Sequence, residues 1–243
     1  MSKKYVGKEC VYCGGLSETG DHVIAREFFP VKFRDNLPQV PACQLCNGKK
    51  SELEHYLTAV LPAAANHAGE RAPLTTMAIN RLDRNQRLRR ELAGGLSFRW
   101  TSRNGGPWVP KFELPFEGHQ LTALFSMIVR GLAAHHWDLL FRDKHYLAAS
   151  FLNEVASQGF EDLMVQENTR TVDVILGEGI FEYKGVQSGA DPGLTFWRMS
   201  LYGVEMKAPT GHREQALKYA YGVTAPISFG AIDLLKSIMS PPA

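Results

Sequence analysis

All four cysteines of the chain fall in two Cys-x-x-Cys pairs, Cys10/Cys13 and Cys43/Cys46, and none follows Cys46. No other feature constrains the fold as strongly. A Cys-x-x-Cys turn presents two sulfurs to one ion, and Zn²⁺ takes a tetrahedral shell of thiolates in structural sites. Gly14 and Gly15 suit the sharp turn such a knuckle needs. The alternative is two pairs of ordinary buried thiols, which this spacing disfavours. Four sulfurs leave a zinc ion no open position, so it would clamp two segments rather than catalyse. Between Cys13 and Cys43 lie 29 residues, more than the roughly 15–20 of common zinc ribbons. That surplus holds Gly20-Asp21-His22.

The surroundings of the cysteines favour reduced thiols over disulfides. The start, MSKKYVGKEC, is basic but has no apolar run behind it, unlike a secretory signal. No stretch approaches the roughly 18–20 apolar residues of a membrane span. The expectation is a cytoplasmic protein without a membrane segment. With 27 basic against 25 acidic residues in 243, overall charge selects no partner. Local charge says more: Arg81 to Arg103 contains seven arginines against Asp83 and Glu91.

The patterning predicts an α+β fold in two parts: a zinc-clamped module over residues 1–65, then a larger mixed helix and antiparallel-strand region over 66–243. In the first, Ser51 and Glu54 form a capping-box pattern ahead of Leu53, Leu57, Val60 and Leu61, and Pro62 ends the run. Small, Gly- and Pro-containing residues over 63–73 read as a linker. After the Arg-rich segment, SRNGGPWVPKFELP (102–115) reads as loop and edge strand. From His119, the residues Leu121, Leu124, Phe125, Ile128, Val129 and Leu132 line one helical face. A weaker helix is expected over Leu147 to Val155. TRTVDVILGEGIFEYKGV (169–186) reads as a hairpin, and Trp197, Met199 and Leu201, alternating with Arg198 and Ser200, as a half-buried strand.

Between the knuckles the order of parts is Cys-x-x-Cys, DHVI, DNL, then Cys-x-x-Cys-Asn with lysines behind it. Over residues 10 to 57 this resembles the zinc-bearing branch of the HNH endonucleases, whose ββα-metal fold is two short antiparallel strands and a helix. The C-terminal region resembles, faintly, the uncharacterised region that follows the module in a subgroup of bacterial HNH proteins. The resemblance implies that His22 is the general base, that Asp21 and Asn47 hold a catalytic divalent ion, and that Asn36 orients the base, with neighbouring Asp35 as its alternative. It implies structural zinc on Cys10, Cys13, Cys43 and Cys46, and hydrolysis of phosphodiesters in DNA.

The residue types support that chemistry independently. Phosphodiester hydrolysis needs a base for water and positive charge at the phosphate. An unperturbed histidine, with a pKa of about 6.5, can serve as that base near neutral pH. One carboxylate and one amide oxygen make a hard, sparse ligand set suited to Mg²⁺, with Mn²⁺ as a substitute. Lys49 and Lys50, and on the Arg-rich segment Arg84, Arg87 and Arg90, are candidate phosphate contacts, against the plainer reading of solvated charge. Adjacent His135 and His136 have no ligand partner at a recognisable spacing and read as structural. Consecutive residues of a regular strand point to opposite faces, so Asp21 and His22 share a phosphate only if the strand begins irregularly at Gly20 or the metal sits at its edge. Two other readings stay open: an RNase using the same site, and a nucleic-acid-binding module without catalysis. The region after residue 65 would recognise the target or build a homodimer.

Overall fold

The structure, a computed structural model, describes residues 3–61, 71–95, 97–102, 106–113, 118–167, 169–203, 206–207 and 216–240. The linker expected over 63–73 lies, up to residue 70, outside the described residues. Helices and antiparallel strands mix along the chain, giving the expected α+β class.

The first knuckle is a tight reversal in which Gly14 N–H donates to Cys10 O at 2.8 Å and Cys10 N–H to Gly15 O at 2.7 Å. Gly14 sits at φ +81°, where a side chain would be strained. β1 (Thr19–His22) pairs antiparallel with β2 (Gln39–Ala42), which sets His22 opposite Gln39. One residue later α1 (Gln44–Val60) begins, and Cys43 is its N-cap, accepting from Cys46 N–H. The cysteine that closes the second knuckle thus also starts the helix. The start expected at Ser51 is therefore corrected: Ser51 and Glu54 are interior to α1, and Glu54 is buried against Lys50 one turn earlier.

Beyond α1, α2 (Arg71–Arg84) and α3 (Gln86–Gly94) meet at Asn85, whose side chain accepts from Leu88 N–H at 3.0 Å and caps α3. Leu88 and Leu92 of α3 pack on Ala59 and Val60 of α1. Arg81 ties α2 down by donating to Thr58 O at 3.0 Å and Glu27 O at 2.5 Å. β3 (Ser97–Thr101) and β4 (Val109–Glu113) form a separate two-stranded ribbon, and α4 (Gly118–Trp137) carries the apolar face read from the sequence.

The C-terminal region is built on β5 (His145–Phe151), β6 (Arg170–Leu176), β7 (Phe181–Gln187), β8 (Thr195–Leu201) and β11 (Ala220–Pro226), with β9 (Met206–Lys207) and β10 (Ala216–Leu217) as a short side ribbon. The five-stranded sheet is antiparallel in the order β5-β11-β8-β7-β6. The expected hairpin is β6/β7, turning through Gly177, Glu178 and Gly179, all at positive φ. Residues 147–155 are the end of β5 and the start of α5 (Glu154–Gln166), not one helix. Pairing of Ala149 with Gly222 overrides the local helical pattern, and Asn153 caps α5.

Successive residues of β8 enter different clusters, which is the two-residue period of a strand. Trp197 and Met199 pack with α4, whereas Phe196 packs with Phe160 of α5 and with Leu235 of α6 (Ile232–Met239). β8 is therefore covered on both faces rather than half-buried, and Arg198 is matched by Glu161 at 3.3 Å.

The boundary expected near residue 65 runs through one shared core. Val23, Ile24, Phe28, Phe29 and Leu57 of the N-terminal unit belong to the same buried cluster as Leu124, Ile128, Leu132 and Trp197. A Cβ on Gly131 would come within 2.8 Å of Val23, so α4 approaches the residue that follows β1 this closely only with glycine there. Tyr202 donates its hydroxyl to Phe28 O at 2.7 Å. Among the described residues, no helix is long and apolar enough to cross a membrane.

Candidate active site

The knuckles bring Cys10, Cys13, Cys43 and Cys46 together, with all four Sγ atoms within 4.8 Å of one another. Cys13 and Cys43 Sγ are 3.7 Å apart. A Zn–S bond of about 2.3 Å in a tetrahedron separates sulfurs by about 3.8 Å. The donor set therefore fits a zinc ion with a closed shell. The Cys43 thiol is lowered to about 7 by the hydrogen bond from Cys46 N–H at the start of α1, while burial pushes Cys10 and Cys46 up. Arg130 of α4 donates to Tyr12 O at 2.9 Å and Phe141 O at 3.3 Å; burial lowers its pKa, against the opposing pull of Cys46 and other groups of the knuckles. Arg142 forms an ion pair with Glu9 on the first knuckle. Two arginines from beyond the module thus anchor its metal-binding loop.

β1 holds Asp21 and His22 in regular register, so their side chains take opposite faces. Asp21 is buried and faces α1. Its Oδ2 accepts from the Tyr12 hydroxyl at 2.6 Å and lies 3.1 Å from Lys50 Nζ. Lys50 is fully buried, and its ammonium also donates to His22 O at 2.7 Å and Glu54 Oε1 at 2.5 Å. All three ammonium donors are therefore used. Burial pushes Glu54 up to about 7 despite the opposing pull of Lys50, and holds Tyr12 well above its ordinary value, with the Asp21 charge adding to it. The phosphate contact expected of Lys50 is corrected here: the side chain is internal, paired with Asp21 and Glu54. The ligand role expected of Asp21 meets the same obstacle, because its carboxylate already holds a phenol and an ammonium. Asn47 lies half-buried one turn before Lys50, with its N–H bonded to Cys43 O at 3.0 Å.

His22 faces away from that network. Its Nε2 lies 2.7 Å from Nε2 of Gln39, the residue directly opposite on β2. The imidazole is half-buried, and its pKa is lowered from 6.5 by burial first and by Arg26 second, against the opposing charge of Asp21. Arg26, exposed just beyond β1, supplies positive charge beside it. On the other side His135 Nδ1 lies 3.4 Å from Gln39 O. Asn36 is an exposed turn residue at φ +59°, a conformation asparagine tolerates, and the side chain found against the His22 ring is that of Gln39. Asp35 beside it is exposed. Gln39 and Arg26 were not singled out from the sequence. The signal for Gln39 was the register of β2, and for Arg26 a positive residue four positions after the histidine.

Lys49 is exposed, as are Arg84, Arg87 and Arg90 on α2 and α3. Arg87 pairs with Glu91 at 2.9 Å, and Arg90 Nε donates to Gln86 O at 3.2 Å. His136 is packed inside, 2.9 Å from the Tyr183 hydroxyl, and His55 faces Asn85 at 3.3 Å. No protein-family model matches the chain, nor does any curated protein or solved structure.

Proposed function

We propose that the protein is a zinc-stabilised endonuclease of HNH type that hydrolyses phosphodiester bonds in DNA, with His22 as general base. The observation that carries this reading is the placement of His22: half-buried at the end of β1, with its Nε2 2.7 Å from the Gln39 side chain across the strand pair, and with exposed Arg26 beside it. In the reaction, water attacks phosphorus and gives its proton to His22. The P–O bond to the leaving oxygen breaks, and that oxygen takes up a proton from solvent water. Arg26 would offset the charge growing on the phosphate. Zinc on the four cysteines supplies the frame. Such a centre belongs to a reducing compartment, the cytoplasm. Lys49, Arg84 and Arg90 would extend the contact along the nucleic-acid backbone.

The resemblance also brings Mg²⁺ or Mn²⁺ between Asp21 and Asn47. The present arrangement does not fit that ion, since the Asp21 carboxylate contacts the Lys50 ammonium at 3.1 Å. No step is assigned to it. The same contact favours a second reading, a module that binds nucleic acid without cutting it.

End-labelled DNA and RNA of one sequence, single- and double-stranded, separate these readings. Cleavage of DNA by the wild type, with a folded, zinc-loaded His22→Ala that binds but does not cut, is the expected result. Cleavage of RNA alone would make the enzyme an RNase. Binding without cleavage by the wild type would leave the binding module.

A further inference from the structure

Three buried or backbone oxygen groups converge on one point between β1 and α1: the Asp21 carboxylate, the His22 carbonyl and the Glu54 carboxylate, at 3.1, 2.7 and 2.5 Å from Lys50 Nζ. The Tyr12 hydroxyl closes the far side of Asp21 at 2.6 Å. This is an all-oxygen cage of the kind that holds hard cations, and it already contains a positive charge. From this geometry we infer that Lys50 is the resident cation of the cage, standing where a divalent ion would otherwise be bound.

The argument is one of space and charge. Mg²⁺ requires oxygens at about 2.0–2.1 Å in near-octahedral order, and Mn²⁺ favours the same kind of oxygen shell. An ion using Asp21, His22 O and Glu54 would have to sit where the ammonium sits. The side chain of Lys50 has no exposed surface, so the ammonium is enclosed rather than resting at a rim. Its position is fixed by sequence: Lys50 and Glu54 are one turn apart on α1, and the β1/β2 register turns Asp21 towards them. The lysine side chain is tethered covalently within the cage, whereas a metal ion exchanges with solution. The module therefore keeps a compensating positive charge between its two buried carboxylates without drawing on free divalent ions. This inference concerns the same site as the proposed hydrolysis but does not depend on it, because the cage is defined by binding.

The test is Mn²⁺ titration of zinc-loaded protein, read by the loss of the free-ion electron paramagnetic resonance signal. Four chains are compared: wild type, Asp21→Asn, Lys50→Ala and Lys50→Ala/Asp21→Asn. The wild type should bind no Mn²⁺ in an Asp21-dependent way up to roughly 1 mM, the weak end of protein oxygen sites. Lys50→Ala should gain one site per chain, weakened about 10–100-fold in the double variant. Thermal unfolding supplies a second readout, since an ion that binds only the native state stabilises it. Millimolar Mn²⁺ should raise the midpoint of Lys50→Ala, or fold it if it is unfolded alone, and leave the wild type unmoved. Wild-type binding that disappears in Asp21→Asn would overturn the inference. So would a Lys50→Ala chain that neither binds Mn²⁺ nor is stabilised by it. None of these outcomes uses cleavage, so loss of the nuclease reading would leave them unchanged.

Discussion

Asp21 and His22 are neighbours in sequence that serve opposite faces of β1, the carboxylate turned inward to Tyr12 and Lys50 and the imidazole turned to Gln39. One dipeptide thus joins the interior of the module to its outer face. The Lys50 ammonium links the two faces again, because it bonds both the Asp21 carboxylate and the His22 carbonyl. A change on the inner face should therefore be felt as stability, and one on the outer face as chemistry.

On the outer face, Gln39→Glu should raise the pKa of His22, since a carboxylate within hydrogen-bond reach favours the imidazolium. The wild-type imidazole is lowered below 6.5, so its acid limb of activity should lie below that pH. In Gln39→Glu the limb should move to higher pH. Proton NMR titration of the His22 ring checks the shift apart from activity, and an unmoved ring titration would show that Gln39 does not touch the base in solution.

On the inner face, Asp21→Ala leaves the fully buried Lys50 with Glu54 as its one carboxylate partner. Breaking a buried ion pair from one side costs about 3–5 kcal/mol. Chemical denaturation should show a loss of that order, with most of it recovered when Lys50→Met is added. A loss under about 1 kcal/mol would instead mark an exposed, solvated pair.

How much of this was legible in the sequence depended on how local each signal was. The clustering of the four cysteines was readable because a Cys-x-x-Cys turn fixes its own geometry. Lys50 was misread because lysine is nearly always at the surface, and its partners come from Tyr12, Asp21 and Glu54 on three different elements. The spacing of Lys50 and Glu54 did carry the signal, but Glu54 was matched to Ser51 as a cap instead. Gln39 became visible only through strand register, which the turn-rich run from Phe28 to Pro38 conceals. The helix expected over 147–155 failed because pairing with β11 is a long-range fact.

Arg130 should matter to zinc as well as to packing. It bonds the backbone at Tyr12, inside the first knuckle, and a four-thiolate zinc centre carries net negative charge that a nearby guanidinium offsets. Arg130→Met should lower zinc affinity about 10–100-fold, the usual scale for groups that support metal ligands. Competition with a chromophoric chelator measures this. Because Val23 and Ile24 share a core with α4, stripping the zinc should also raise amide exchange in α4. Unchanged exchange there would mean that the core does not depend on the clamp.

His136 makes a pH prediction away from the site. Burial first, then His135, lower its pKa from 6.5 to about 4. A histidine depressed in the folded state contributes stability that is complete above the unfolded value and lost as pH falls. The loss should run from about 6.5 down to about 4. His136→Gln should flatten the stability curve in that window, and equal slopes for the two proteins in urea unfolding would contradict the assignment.

The central claim is that His22 does the chemistry. Nicking of supercoiled plasmid by the wild type and by a folded, zinc-loaded His22→Ala tests it most directly. The account predicts nicking by the wild type and loss of at least about 10²-fold in the variant, the scale of a general base. Equal nicking by both proteins would contradict it.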